Sequence, residues 1–219
     1  MSQAFELPIF PLPNVVFFPF TILPLHVFEP RYKEMVTDAL QAEQRIGMIL
    51  LRPGWQAHYF ENPEVYPTGG MGVIEEHVQR EDGEYDILLK GQSRFRVLGF
   101  VQDHPYRVAR IRLLRERSPQ PDQAAQISSQ LLRLLEKLGH YKFPNTLDLG
   151  KAAHMDFQTL VNSICSSLQS SVSDKQWLLE KGDVGARATT LLGLLETKLN
   201  QVRAIYHFAH LKPENPHVN

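Results

Sequence analysis

The sequence is poor in the devices by which a chain of 219 residues usually declares its chemistry. A single cysteine, Cys165, excludes an internal disulfide framework and suits a reducing compartment. Neither sign of charge predominates. The 23 Lys and Arg against 24 Asp and Glu lack the basic excess expected of a protein that lives on nucleic acid or anionic membrane. No apolar run is long enough to cross a bilayer, because the longest, residues 15–25, is interrupted by Pro19 and Pro24. The N-terminus has no basic segment leading into an apolar stretch, so no signal peptide is expected and the chain reads as soluble and cytoplasmic. Its length supports one large core or two small ones without a metal or disulfide staple.

Catalytic signatures are missing as well. There is no Gly-x-x-x-x-Gly-Lys-Ser/Thr loop, no Gly-x-Gly-x-x-Gly after a strand and no His-Glu-x-x-His. The one glycine cluster, Gly69-Gly70-Met71-Gly72, precedes a strand rather than a helix and reads as a turn with unusual φ, not a phosphate cradle. His154 and Cys165, placed on one helix, are about 16 Å apart at 1.5 Å rise per residue and cannot act as base and nucleophile. Cys165 is expected in the core. His207 and His210 can share a helix face, with His217 in the tail, but lack a carboxylate or thiolate partner and read as a solvated helix end. No enzymatic activity, cofactor or metal is expected on this basis. A hydrolase assembled from residues distant in sequence would require a pocket with converging perturbed groups.

What the chain does have begins with proline. Six of its 15 prolines (Pro8, Pro11, Pro13, Pro19, Pro24, Pro30) fall in the first 30 residues among Val, Ile, Leu and Phe. Proline removes a ladder donor, so this segment predicts short, interrupted or edge strands rather than a central one. Pro30 suits the first position of a helix running through Met35, Val36 and Leu40. Residues 46–51 predict a strand that Pro53-Gly54 stops, and residues 52–70 a long loop. From Met71 to Glu116 the pattern is β, with a hairpin turn at Glu81-Asp82-Gly83-Glu84, a break at Gly91 and a bulge at Gly99. Short successive strands favour a small barrel or sandwich.

After the linker at 118–122 the period becomes helical. Ile127, Leu131, Leu134 and Leu138 mark one helix, with Gly139 as its C-cap. Phe157, Leu160, Val161, Ile164 and Leu168 mark a second, and Ser173-Asp174 begin a short third. Ala188, Leu192, Leu195, Leu199, Val202, Tyr206 and Ala209 form the seam of a long last helix ending at Lys212-Pro213, expected to pack internally rather than against another copy. The chain thus divides into a β-rich part, 1–117, and a helical part, 123–219.

Two surfaces carry recognition chemistry. The loop with Trp55, Tyr59, Phe60 and Tyr66 presents aromatic anchors, or else covers the open end of the barrel. Of Phe17, Phe18 and Phe20 at least two are expected in the core, and Phe20 is kept as a surface candidate. Charge is also segregated. Residues 71–89 hold six acidic residues and one basic, whereas 90–117 hold eight basic and two acidic. Alternation puts Arg94 with Arg96, and Arg110 with Arg112, on one strand face, which is either an anion or RNA surface or a wet face neutralised by the acidic hairpin.

Together these residues resemble a known family. Leu7-Pro-Ile-Phe-Pro-Leu-Pro-Asn-Val-Val-Phe-Phe-Pro19 and Leu23-Pro-Leu-His-Val-Phe-Glu-Pro-Arg-Tyr32 are similar to the opening of the Lon protease N-terminal domain, above all its stand-alone bacterial form. Gly70-Met-Gly-Val-Ile74, Asp86-Ile-Leu-Leu-Lys-Gly91 and Arg94-Phe-Arg-Val97 match its later strands. Ser173 to Glu180, Asp183-Val184, Arg187 and Leu191 to Glu196 match its helical part. The resemblance implies an α+β fold, a PUA-like β pseudo-barrel followed by a helical bundle. It further implies a non-catalytic module that binds substrate polypeptides or a partner protein and aids oligomerisation. Phe20-Thr21 stands where the family often has glycine, so the local surface is expected to differ. The final helix stops near Pro213 with no phosphate loop or Ser-Lys protease module after it, so ATPase and peptidase activities are not expected to carry over. An RNA-binding protein using Arg94, Arg96, Arg110 and Arg112 is the alternative.

Overall fold

The computed structural model describes residues 3–59, 62–141 and 147–210. In chain order the elements are β1 (Phe5–Leu12), β2 (Ile22–Val27), α1 (Pro30–Gln41), β3 (Arg45–Leu50), a 3-10 turn (Trp55–His58), β4 (Thr68–Gln79), β5 (Tyr85–Gln102), β6 (Arg107–Leu114), α2 (Pro121–His140), α3 (Leu149–Ala152), α4 (Phe157–Ser167), α5 (Val172–Glu180) and α6 (Val184–His210). Contacts divide the chain into two units, Met1–Glu116 with Ser170–Lys181, and Arg117–Gln169 with Gly182–Asn219. The class is α+β, as expected. Helix α5, although it lies in the stretch read as helical, groups with the strands.

In the first unit the strands form one sheet in the order β2–β5–β4–β3–β1–β6, and β5 also pairs with β6, so five strands close on themselves. The length of β5 makes the closure possible. Its first half pairs with β2 and its second half with β6, while register shifts between Val97 and Gly99 and between Phe100 and Gln102 bend it around. The bulge expected at Gly99 is present. Gly91, in contrast, does not break the strand: a Cβ there would lie 2.3 Å from the Phe18 carbonyl oxygen, so glycine lets the 17–20 segment pass against β5. The glycine cluster likewise lies inside β4 rather than in a turn, and a Cβ at Gly70 would lie 2.1 Å from the Phe17 oxygen. Gly83 (φ 78°) does make the expected hairpin turn.

Proline 8 and proline 11 sit in a strand with neighbours on both sides, contrary to the expectation of an edge. The register explains how. β1 pairs with β6 over Phe5–Ile9 and with β3 over Ile9–Leu12, so each proline has a partner on one flank only and its missing N–H leaves no gap in the ladder. Pro24 lies on β2, the true edge strand.

Alternation then builds two cores. Leu7, Ile9, Ile49, Met71, Phe95, Ala109 and Ile111 fill one. Phe10, Ile46, Met48, Ile74, Ile87 and Leu89 join Tyr32, Met35, Val36 and Ala39 of α1 in the other. Each fully buried aliphatic side chain contributes about 1.5–3 kcal/mol. Phe17 and Phe18 are buried and Phe20 is exposed. Helix α5, begun by a capping box of Ser171 and Asp174 rather than at Ser173, is fastened to the sheet by polar groups. Gln176 Nε2 donates to the Thr68 carbonyl (3.0 Å), and Arg94 Nη1 donates to the carbonyls of Leu179 and Lys181 (2.7 Å each).

In the second unit α2 buries Ile127, Leu131, Leu135 and Leu138, and α4 buries Leu160, Val161, Ile164 and Cys165. Asp156 caps α4 by accepting from the amides of Gln158 and Thr159. Cys165 is a core residue, as expected. The buried seam of α6 runs through Ala188, Leu191, Leu195 and Leu199, with Leu191 in place of Leu192, and Tyr206 is exposed. The helix stop at Lys212-Pro213 and the tail residue His217 lie outside the described residues.

Candidate functional site

Gly54, at φ 91°, turns the chain after β3 into the 3-10 turn that carries Trp55. Trp55 meets Tyr59 edge-on with centroids 5.6 Å apart. The Tyr59 hydroxyl donates to Glu29 Oε1 (2.5 Å), and Arg31 lies over the Tyr59 and Tyr32 rings while pairing with Glu29 at 2.9 Å. Burial, then the hydrogen bond to Glu29, push the Tyr59 hydroxyl above its ordinary range, so it stays a protonated donor. Trp55 and Tyr59 are both half-buried. They are anchored rings with part of each face left to solvent.

The other aromatic candidates are placed separately. Tyr66, also half-buried, lies under the Arg52 guanidinium at 5.2 Å. Phe20 is 45% exposed, at φ 63°, and its amide donates to the Gly91 carbonyl (2.9 Å), which seats it beside β5 at the start of β2. Phe60 lies outside the described residues. The cleft lined by Arg31, Tyr32, Tyr59 and Arg107 has a volume of only about 10 Å³, room for one water-sized group.

The four arginines part company. Arg94 is 1% exposed and bonded to Glu116, Leu179 and Lys181, so its guanidinium serves the interior and not an exposed basic surface. Arg96 and Arg112 are exposed and directly opposite one another on β5 and β6, and Arg110 is opposite Glu6 on β1. Among the described residues no ion pair includes Arg96, Arg110 or Arg112. Three acids of the neighbouring hairpin are engaged elsewhere. Asp86 Oδ1 lies 2.8 Å from His26 Nδ1 and its Oδ2 2.7 Å from Arg80, Glu84 lies 2.8 Å from His26 Nε2, and Glu75 lies 2.7 Å from Lys90. The hydrogen bonds from His26 and then Arg80 hold the Asp86 carboxyl below the usual carboxylate range.

One surface escaped sequence reasoning. Across β2, β5 and β4 the register sets Ile22 opposite Lys90, Pro24 opposite Leu88 and His26 opposite Asp86, with Leu88 opposite Glu76 and Asp86 opposite Val78. This outer face carries an open groove of about 510 Å³ whose lining includes Pro24, His26, Glu76, Val78 and Leu88. Its signal in the sequence is the appearance of apolar residues at both phases of the strand period. Among the described residues no cluster of His, Cys, Asp and Glu is arranged to hold a metal ion, and no helix is long and apolar enough to cross a membrane.

Comparison with known proteins gives a consistent picture. The family model for the ATP-dependent protease La (LON) substrate-binding domain matches residues 6–197. The chain is 30% identical over 202 residues to a Lon protease of Anaeromyxobacter dehalogenans, covering 88% of this chain and 23% of that protein. It is 30% identical over 211 residues to Lon protease 2 of Sorangium cellulosum, covering 92% and 26%. The chain therefore spans about a quarter of the length of these curated relatives. Among solved structures, the Lon N-terminal domain protein from Xanthomonas campestris aligns with a TM-score of 0.61 at 25% identity, over 86% of this chain and 98% of that one. The N-terminal domain of the Mycobacterium avium complex Lon protease aligns with a TM-score of 0.66 at 12% identity, over 87% and 98%, a likeness of fold.

Proposed function

The chain belongs to the family of Lon substrate-binding domains, and from that premise we propose that it is a non-catalytic cytoplasmic module that binds polypeptides, either substrates or a partner protein. The observation that supports this best is the reach of the family match, residues 6–197, through the strands and helices of both units. The proteolysis named for the relatives belongs to proteins of which this chain spans about a quarter, and the matching quarter is the recognition part. Phe20, Trp55, Tyr59, Phe60 and Tyr66 are the proposed contact residues. Tyr59 is held in place by Glu29 and Arg31 and Trp55 packs edge-on against it, so the Tyr59 ring meets a ligand with little further loss of rotamer freedom.

Anisotropy titration of a labelled, permanently unfolded protein tests this reading. The parent chain is expected to bind, and Trp55→Ala/Tyr59→Ala to bind about tenfold more weakly, the loss expected for one aromatic hot spot. Unchanged binding by that variant would remove the aromatic site. Size-exclusion chromatography alongside reports whether the chain self-associates.

A second reading is favoured by one observation: Arg96 and Arg112 face each other with no acid between them. Like charges so placed are destabilising unless an anion joins them, and RNA is the anion considered. Arg96, Arg110 and Arg112 would carry it, without Arg94. Absence of RNA binding even at low salt would remove it.

A further inference from the structure

We propose that the outer face of β2, β5 and β4 is a docking surface for an extended polypeptide segment that carries lysine or arginine among aliphatic residues. The proposal rests on the polypeptide-binding reading and adds to it a place and a chemical class of ligand.

The first observation is a broken alternation. An antiparallel sheet with one face on a core and the other in water normally keeps apolar residues inward and polar residues outward. The inward positions obey: Val27, Ile87, Leu89 and Ile74 are buried in the core shared with α1, and Leu23 and Leu25 pack against it. The outward positions do not. Ile22 is 47% exposed and Val78 63% exposed, and between them Pro24 and Leu88 stand directly opposite one another. Register places Pro24 beside Leu88, Ile22 two residues from Pro24 along β2, and Val78 diagonal to Leu88 on β4, so the four form a continuous diagonal strip instead of scattered single residues. The groove lined by Pro24, Val78 and Leu88, about 510 Å³, is of the size that seats a few side chains, and Ile22 lies beside it on β2.

The second observation is the charge around that patch. Residues 71–89, which supply β4 and the start of β5, contain six acidic residues and one basic. Glu75, Glu84 and Asp86 are engaged by Lys90, His26 and Arg80. Glu76, opposite Leu88 and in the groove lining, has no ion pair among the described residues. A cationic side chain entering the groove meets an unneutralised carboxylate, whereas an acidic ligand, a nucleic acid or an anionic membrane meets repulsion.

The third observation sets the mode of binding. Pro24 sits in the middle of β2, the edge strand, and its pairing with β5 is continuous, so the missing N–H is on the free edge. A further strand cannot complete its ladder there. The ligand lies across the face and is read through its side chains.

Two labelled peptides with identical aliphatic residues, one with Lys and Arg between them and the other with Glu and Asp, test the proposal in titrations with the full chain. The basic peptide is expected to bind about tenfold tighter, a 1.4 kcal/mol preference that shrinks as salt rises. Ile22→Ser/Val78→Ser is expected to weaken it about tenfold, and Glu76→Lys to abolish the preference; all three positions are exposed, and the substitutions leave folding intact. Equal binding of the two peptides, or unchanged binding by both variants, overturns the proposal. If the sheet-face variants bind as the parent does while Trp55→Ala/Tyr59→Ala loses the peptide, only the sheet face is wrong. If neither peptide nor a permanently unfolded protein binds the parent chain, the polypeptide-binding reading falls with it.

Discussion

Arg94 Nε lies 2.5 Å from Glu116 Oε1, with the two side chains 1% and 12% exposed. The same guanidinium also takes two backbone carbonyls, so one residue of β5 holds both the chain end of the strand region and the last turn of α5. Removing one partner of a buried pair leaves the other charge uncompensated, at a cost of about 3–5 kcal/mol. Arg94→Met is therefore expected to destabilise the first unit by several kcal/mol in urea unfolding, and Arg96→Met by less than about 0.5 kcal/mol. Similar losses for the two would contradict the assignment.

Gly70 and Gly99 are both strand glycines with opposite tolerances. A Cβ at Gly70 lands 2.1 Å from a backbone oxygen, which cannot swing away, whereas at Gly99 nothing lies within 4 Å. Gly70→Ala should cost about 1–3 kcal/mol or more through overpacking. Gly99→Ala should be neutral or gain a few tenths. Thermal melting of the pair decides, and equal melting temperatures would refute the close approach of the 17–20 segment.

The Arg96 and Arg112 pair carries its own stability test. Arg112→Glu replaces a like-charged cross-strand pair with an opposite one, expected to contribute about 0.2–1 kcal/mol at low salt and less at high salt. A lower melting temperature at low salt would mean that the two guanidinium groups do not face each other. The same variant should lose any salt-dependent RNA binding.

Asp156 gives a prediction in pH. Burial pushes its carboxyl up, but hydrogen bonds from the Thr159 hydroxyl and from the Thr159 and Gln158 amides outweigh burial and hold it below the usual range. A depressed folded value means that the stabilisation is present above the unfolded pKa, about 3.9, and is lost as pH falls through the folded one. Asp156→Ala should cost about 1 kcal/mol at neutral pH as a lost cap. The gap to the parent should close on acidification below about pH 4. A gap independent of pH would show that the carboxylate is not the cap.

Much of the fold was legible because it is written in local periods. The start of α1 at Pro30, the hairpin at Gly83, the bulge at Gly99 and the helical period after residue 120 each follow from a residue and its near neighbours. Where expectation and structure diverge in the sheet, the missing information was a partner. Pro8 and Pro11 argued for an edge strand until the staggered pairing of β1 supplied each with an unpaired flank. Gly91 and Gly70 looked like punctuation because nothing near them in sequence reveals that Phe17 and Phe18 pass over them. The loop aromatics are grouped by their nearness in sequence, yet Trp55 and Tyr59 belong to the turn near Glu29 while Tyr66 lies apart under Arg52.

By itself, then, the sequence determined the family, the α+β class, the division between strand and helix and the scarcity of catalytic motifs. These depend on residue type and on spacings of two to four. Arg94 and Arg96 mark what only the tertiary structure decided. They share a residue type, a strand and a face, yet one is buried under the carbonyls of α5 and the carboxylate of Glu116 and the other stands in water. The single cysteine and the lack of a charge excess narrowed the chemistry without locating it. Whether an outward strand position is covered depends on which distant element crosses it. The same reason leaves Pro24, Leu88 and Val78, with Ile22 beside them, as one open patch: apolar residues at both strand phases hint at it, but only the pairing of β2, β5 and β4 assembles it.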